Sequence, residues 1–489
     1  MEAQAARGHT VAYMFAGRHY PLIHRPRLRR WTSGGVSMYE LIGSPINLHW
    51  DAGTRYPERD LHEPVSERAF AVALREARPD VIHVQELAGL PSSLIEKAKA
   101  AGLPVVMSLH DYSPLCATVR LLDGSGTRCM RLDVGEDCAR NCAAAPHDDT
   151  HLIEETVRYE TLRAKSALPL VRRIDDAKLE PFVRRVSRWR SPVAGLVPGA
   201  KAHPSSQYML AASFQRRRDV NTARLSMCDR LVAPSARVRE IYAALGVDQT
   251  RIVTQRLTLP HLERLTVQRG PEVRTPLTFI ALGAGAEPSK GSRVLLEAVR
   301  LLEEAGRGQD YRLIVMGFVE AGVARELGRM PAVTMLGIYR PDELDGVLND
   351  ADVGIVPSVW EEAHGFVGIE LLAKGLPVIG SALGGIPEYV KDGKTGWLNH
   401  TATGKELAAI MASAIDDPAG VVRLRQSVRL LRGELVKPMA PHVDEVERLY
   451  GAVIAGSCQL ISRGAIPALA PPLPPARVAA WPAKTPPAE

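Results

Sequence analysis

The stretch Asp352–Gly396, DVGIVPSVWEEAHGFVGIELLAKGLPVIGSALGGIPEYVKDGKTG, constrains this chain more than any other. It opens on a short apolar run, Val353 to Val356, of the length of a buried strand. Pro357 and Ser358 stop the run, and the acidic pair Glu361-Glu362 follows. Gly365 precedes a helical stretch that carries Glu370. A second apolar run, Pro377 to Ile379, leads to Ser381 and to Gly384-Gly385. Strand, loop, helix, strand is the unit of a parallel α/β sheet, and such sheets bind ligands beyond the carboxyl ends of their strands. Seven residues separate Glu362 from Glu370, so a loop carboxylate and a helix carboxylate face one crevice. The amides of Gly365, Phe366 and Val367 head the helix, where anions bind well. Amides suit a phosphate and carboxylates suit a diol. The spacing therefore predicts a ligand with a phosphate and many hydroxyls.

The words PSVWEE, GIELLAKGLPVI, GGIPE and DGKTGWL, in that order around E-x7-E, resemble the family 4 retaining glycosyltransferases. The resemblance implies the GT-B fold, an α/β architecture of two Rossmann-like doubly wound domains facing a central cleft. It implies a sugar moved from a nucleotide-sugar donor to an acceptor hydroxyl, in glycan, polysaccharide or glycolipid synthesis. Glu370 then holds the ribose, Glu362 a hydroxyl of the donor sugar, and Gly365, Phe366 and Val367 the diphosphate. Lys290, followed by Gly291, stands in GAGAEPSKG where the family keeps a lysine for the diphosphate. Where the family often adds an arginine, this chain has alanine at 284 or 286. Tyr339, in Gly337-Ile338-Tyr339, stands where relatives contact the base. The family's aromatic before the glycine is His364 here, a substrate contact or a replacement without consequence.

The words ARPDVIHVQEL and GLPVVMSLHDY resemble the amino-terminal domain of the same family, which places His110 near the donor's anomeric carbon. Gly34 and Gly35 are expected in the loop after the first strand (Thr10 to Phe15), facing the donor phosphates or the acceptor. A basic loop at 24–30 precedes them and a short helix follows. From Cys228, CDRLVAPSARVREIYAALGVDQTRIVTQ resembles the last strand and helix of that domain. The expected division is an acceptor-side domain at 1–260 and a donor-side domain at 273–435. A helix crossing back at 436–455 and a proline-rich, disordered tail at 456–489 complete it.

Four of the six cysteines, Cys116, Cys129, Cys138 and Cys142, fall in one loop rich in Gly and Asp. Four thiolates hold tetrahedral zinc, so a structural zinc, free thiols and disulfides are the open readings. Catalysis is expected to need no metal. Residues 178–190 pair an apolar stripe (Leu179, Phe182, Val183, Val186, Trp189) with Lys178, Arg184, Arg185, Arg188 and Arg190. This helix lies on an anionic membrane or packs on its own domain. Arg216-Arg217-Arg218 is a second basic cluster nearby.

A net charge of +6 over 489 residues is too small to argue for nucleic acid. No apolar run reaches spanning length, and the first residues lack the pattern of a signal peptide. A cytoplasmic, membrane-peripheral protein is the expectation, with a glycan, lipid-linked or small-molecule acceptor. A GT-B phosphorylase or epimerase, or a binder without turnover, are the alternatives.

Overall fold

The computed structural model describes residues 1–20, 25–46, 54, 56–142, 153–154, 156–157, 159–160, 204–267, 272–283, 288–337 and 339–462. The second half of the chain is built on β8 (Leu277–Leu282), β9 (Tyr311–Met316), β10 (Val333–Gly337), β11 (Val353–Val356), β12 (Val378–Ser381) and β13 (Gly396–Asn399). All pairs are parallel, in the order β10-β9-β8-β11-β12-β13. The strand sequence reverses direction between β8 and β11, the switch point where a doubly wound sheet opens a ligand crevice. Every residue of β8 is buried, because helices cover both faces. Leu277, Phe279 and Ala281 join one apolar cluster, and Ile280 and Leu282 join the other. The helix Ser292–Glu304 seals the first face with Leu295, Leu296, Val299 and Leu302, a stripe at helical spacing. Burial of each such leucine contributes about 1.5–3 kcal/mol.

The first half carries two sheets. β4 (Ile82–Val84), β5 (Val105–Ser108), β6 (Arg230–Ala233) and β7 (Ile252–Thr254) are parallel in chain order. β1 (Val11–Ala16) pairs parallel with β3 (Val36–Ile42), and β2 (Arg27–Ser33) pairs antiparallel with β3. Two Rossmann-like α/β domains result, and the architecture is GT-B.

This arrangement corrects three expectations. The basic stretch at 25–30 leads into and forms β2; Arg27, Arg29 and Arg30 are exposed, while Leu28 and Trp31 are partly covered. The stretch after the glycines is β3 rather than a helix. Gly34 and Gly35 are the two-residue turn of the β2–β3 hairpin, with φ of 55° and 78°. Both φ values are positive, as the hairpin turn matching strand twist requires. The turn lies at the amino end of β3, beside Glu2 and Ala5, opposite the strand ends where ligands bind.

The helix Met439–Ser462 crosses back onto the first domain, longer than the sequence implied. Its Val453, Leu449 and Tyr450 pack on Val106 and Val232. Tyr450 Oη lies 2.6 Å from His83 Nδ1, and His83 Nε2 lies 2.8 Å from Ser108 Oγ. Among the described residues no helix is long and apolar enough to cross a membrane. The helix expected at 178–190 and the tail from 463 lie outside the described residues. In the cluster at 216–218 only Arg216 is exposed: Arg217 bonds Asp60 at 2.7 Å and Ser113 O at 2.6 Å, and Arg218 reaches the carbonyls of Leu115 and Arg131.

Candidate active site

Lys290 ends the single turn Pro288–Lys290 after β8. Gly291 follows at φ 81°, and a Cβ there would stand 1.8 Å from Pro357 O. Only glycine lets the β8 and β11 loops touch, and the amide of Val359 then donates to Ser289 O at 2.9 Å. This contact brings Lys290 Nζ to 2.8 Å from Glu362 Oε1 and over the Trp360 ring, 4.9 Å from its centre. Ser358 Oγ donates to the same carboxylate oxygen at 2.6 Å. The β12 loop holds Glu362 from behind: Gly385 N donates to Glu362 O at 2.7 Å. Glu362 is buried, whereas 34% of the Lys290 side chain is exposed.

Gly365 precedes the helix Phe366–Lys374 with φ 73°. Its carbonyl accepts from Tyr389 Oη at 3.0 Å, which fixes the helix start beneath Glu362. Val367 faces Gly283 at the end of β8, so the first amides of the helix border the same crevice as Lys290. One turn on, buried Glu370 meets His261 Nε2 at 2.6 Å. Burial raises the Glu370 pKa against the opposing pull of His261. Tyr339 stands beside this carboxylate; burial, and then Glu370, push its phenol up. The structure thus gathers Lys290, Gly291 and Glu362 at the β8/β11 switch, with Gly365, Phe366 and Val367 at the adjoining helix start and Glu370, His261 and Tyr339 one turn further on.

His110 follows β5 in the facing domain, its Nε2 2.8 Å from Gln85 Oε1, and burial lowers its pKa. His110 and His364 lie near enough for the charge of one to disfavour that of the other. His364 itself is buried and bonded to the backbone of Leu257 and Pro234, and burial first, then Arg256, push its pKa down to about 4. It ties the site loop to the first domain and to the linker.

Two residues escaped the sequence reading. His261 lies in the linker segment RLTLPHLERL, which carries no spacing signal. Glu361 was visible only as the neighbour of Glu362. Its carboxylate takes Arg237 Nη2 at 2.9 Å, Arg128 Nη1 at 2.7 Å and the Gly384 amide at 2.9 Å. Burial pushes its pKa up, and the two arginines reverse this to a net lowering.

The cysteines sit in the loop that carries Arg128. Cys138 and Cys142 occupy one turn, and the Cys138 thiol holds the Cys142 pKa down. Cys116 and Cys129 lie within electrostatic reach of Cys138. Among the described residues, no three His, Cys, Asp or Glu side chains are placed to hold one metal ion.

The fold defines a GT-B protein whose Lys290–Glu362 pair and Glu370 stand at the β8/β11 switch of the second domain. In sequence, residues 276–417 match the family described as Glycosyl transferases group 1. The chain is 31% identical over 172 residues to a D-inositol 3-phosphate glycosyltransferase of Corynebacterium aurimucosum, covering 33% of this chain and 41% of that protein. It is 32% identical over 197 residues to the putative colanic acid biosynthesis glycosyltransferase WcaL of Escherichia coli, covering 38% and 45%. The chain thus spans less than half the length of these relatives. In structure it resembles sucrose-phosphate synthase from Thermosynechococcus elongatus (TM-score 0.57, 16% identity, 93% and 92% of the two chains). It also resembles an α,α-trehalose-phosphate synthase (UDP-forming) from Burkholderia xenovorans (TM-score 0.53, 12% identity, 92% and 96%). At these identities the structural likeness concerns the fold.

Proposed function

We propose that this chain is a retaining glycosyltransferase that moves a sugar from a nucleotide-sugar donor to an acceptor hydroxyl. The observation that carries the reading is the Lys290–Glu362 pair at the β8/β11 switch, beside the helix start that leads to Glu370. Glu370 accepts from the ribose hydroxyls with the oxygen that His261 leaves open. Glu362 accepts from a hydroxyl of the donor sugar. Lys290 and the amides of Gly365, Phe366 and Val367 receive the charge that builds on the departing diphosphate. Preorganised donors of this kind are worth about 10²–10³ in rate. None of these steps needs a metal. Retention is carried by the resemblance to family 4: the acceptor hydroxyl enters on the face that the diphosphate leaves, and His110 lines that side.

The acceptor meets the amino-terminal domain. A glycan, a lipid-linked sugar and a small molecule all present the required hydroxyl. The exposed arginines of β2 keep an anionic, membrane-borne acceptor within the proposal. Screening UDP, GDP, ADP and TDP by thermal shift identifies the base, since a ligand at 100 times its Kd adds about 2.7 kcal/mol. Purified protein should then release that diphosphate from the matching nucleotide sugar, with or without EDTA, and the product should keep the anomeric configuration. No stabilisation by any nucleoside diphosphate, or turnover that requires added magnesium, would overturn the reading.

A further inference from the structure

Residues 360–364 belong to the second domain by chain and sheet, yet the first domain fixes them. Trp360 and Ala363 are part of the first domain's apolar cluster, and Trp360 stands edge-on to Tyr112 with ring centres 6.3 Å apart. Tyr112 Oη donates to Glu361 O at 3.0 Å. Arg237 forks onto the Glu361 carboxylate, Nε to Oε2 at 3.1 Å and Nη2 to Oε1 at 2.9 Å. Arg128, from the cysteine loop, adds Nη1 to Oε1 at 2.7 Å. A second carboxylate closes the contact: Glu388 Oε1 accepts from the amides of Ala236 at 2.6 Å and Arg237 at 3.3 Å. Glu361 is only 2% exposed, so its charge depends on these partners.

We infer that Arg237 and Arg128 are positioning residues, which align Glu362 against Lys290 through Glu361. The coupling path is short. Glu361 is peptide-bonded to Glu362, and Lys290 lies between the Glu362 carboxylate and the face of Trp360. Without the arginines, Glu361 keeps only the Gly384 amide for a buried charge and must turn toward water. The loop turns with it, and Glu362 leaves its place beside Lys290, which the turn Pro288–Lys290 after β8 still holds. A forked arginine sets orientation as well as charge, which a single point contact does not.

The rate effect rests on the proposed glycosyl transfer; the geometry of the loop does not. The test compares Arg128→Ala, Arg237→Ala, the double variant and Arg237→Lys with the wild type. It reads kcat, donor KM, the Kd of the preferred nucleoside diphosphate and amide exchange across 357–365. A displacement near 1 Å costs about 10²-fold, so the double variant should lose about that much kcat. The Kd should stay within about threefold, because Lys290, Gly365 and Glu370 all belong to the second domain. Exchange should rise in 357–365 and stay unchanged in the helix Ser292–Glu304, and Arg237→Lys should recover part of kcat. Wild-type kcat in the double variant would overturn the inference. So would a Kd that weakens in step with kcat, which would make the arginines donor ligands. If the double variant does not fold, Arg128→Ala decides, since 52% of that side chain is exposed and its loss leaves the core intact. If the wild type transfers no sugar, the functional reading falls alone, and unchanged exchange in 357–365 still overturns the clasp.

Discussion

Gly384→Ala should disable this protein with a side chain of one carbon. Gly384 has φ 59°, and an added Cβ would lie 2.1 Å from Glu362 O, 2.3 Å from Glu362 N and 2.7 Å from Glu361 C. All three are backbone atoms, so no side chain can swing aside. An ordinary contact needs roughly another 1.5 Å at the nearest atom, and the peptide that must give way carries both carboxylates. The left-handed conformation alone costs an alanine about 1–2 kcal/mol. Overpacking adds about 1–3 kcal/mol, for a total of about 2–5 kcal/mol. Gly393→Ala is the control: its φ is 69°, but nothing lies within 4 Å, so it carries only the conformational cost. Urea unfolding of both variants separates the two terms, and donor turnover reads the displacement of Glu362. Turnover should fall about 10²-fold in Gly384→Ala and stay near wild type in Gly393→Ala. Equal midpoints for the two variants, with full turnover in both, would refute the packing argument.

Lys290→Ala should cost about 10²–10³ in kcat while the fold survives, and comparison of its melting temperature with the wild type checks that condition. Glu370→Ala should abolish binding of the preferred nucleoside diphosphate by calorimetry, because the carboxylate proposed for the ribose and the anchor of His261 go together. Acid should weaken the protein through His364: its folded pKa of about 4 lies below the ordinary 6.5, so between those values the unfolded chain binds the extra proton. Stability should then fall by about 1.4 kcal/mol per pH unit below 6.5, a slope that His364→Gln lowers in urea titrations at pH 7 and 5. Cys142 should be alkylated first as pH rises, since the Cys138 thiol stabilises its thiolate, while buried Cys228, pushed up to about 12, should stay inert. One zinc per chain by elemental analysis would contradict that order by occupying both thiols.

Much of the second domain was written in the sequence. Apolar runs such as Val353–Val356 become strands wherever both faces of a parallel sheet are covered, and Gly365 and Gly291 mark positive φ that other residues resist. E-x7-E with its flanking words set Glu362 and Glu370 on either side of one helix start, whereas the Lys290–Glu362 contact needed the pairing of β8 with β11. Periodicity and local conformation are properties of adjacent residues, so a sequence carries them. The hairpin at Gly34-Gly35 was misplaced because a glycine pair fits a ligand loop and a tight turn equally; only the pairing of β2 with β3 chose. Arg217 and Arg218 read as surface charge, since composition does not say which partners fold over a side chain; Asp60 and three carbonyls do. Glu361 and Glu362 are neighbours of identical chemistry. One turns to Lys290 within its own domain and the other to Arg128 and Arg237 across the cleft, 233 and 124 residues away. Contacts at that separation depend on how two domains dock, and docking is decided by burial summed over both surfaces, which no local pattern encodes.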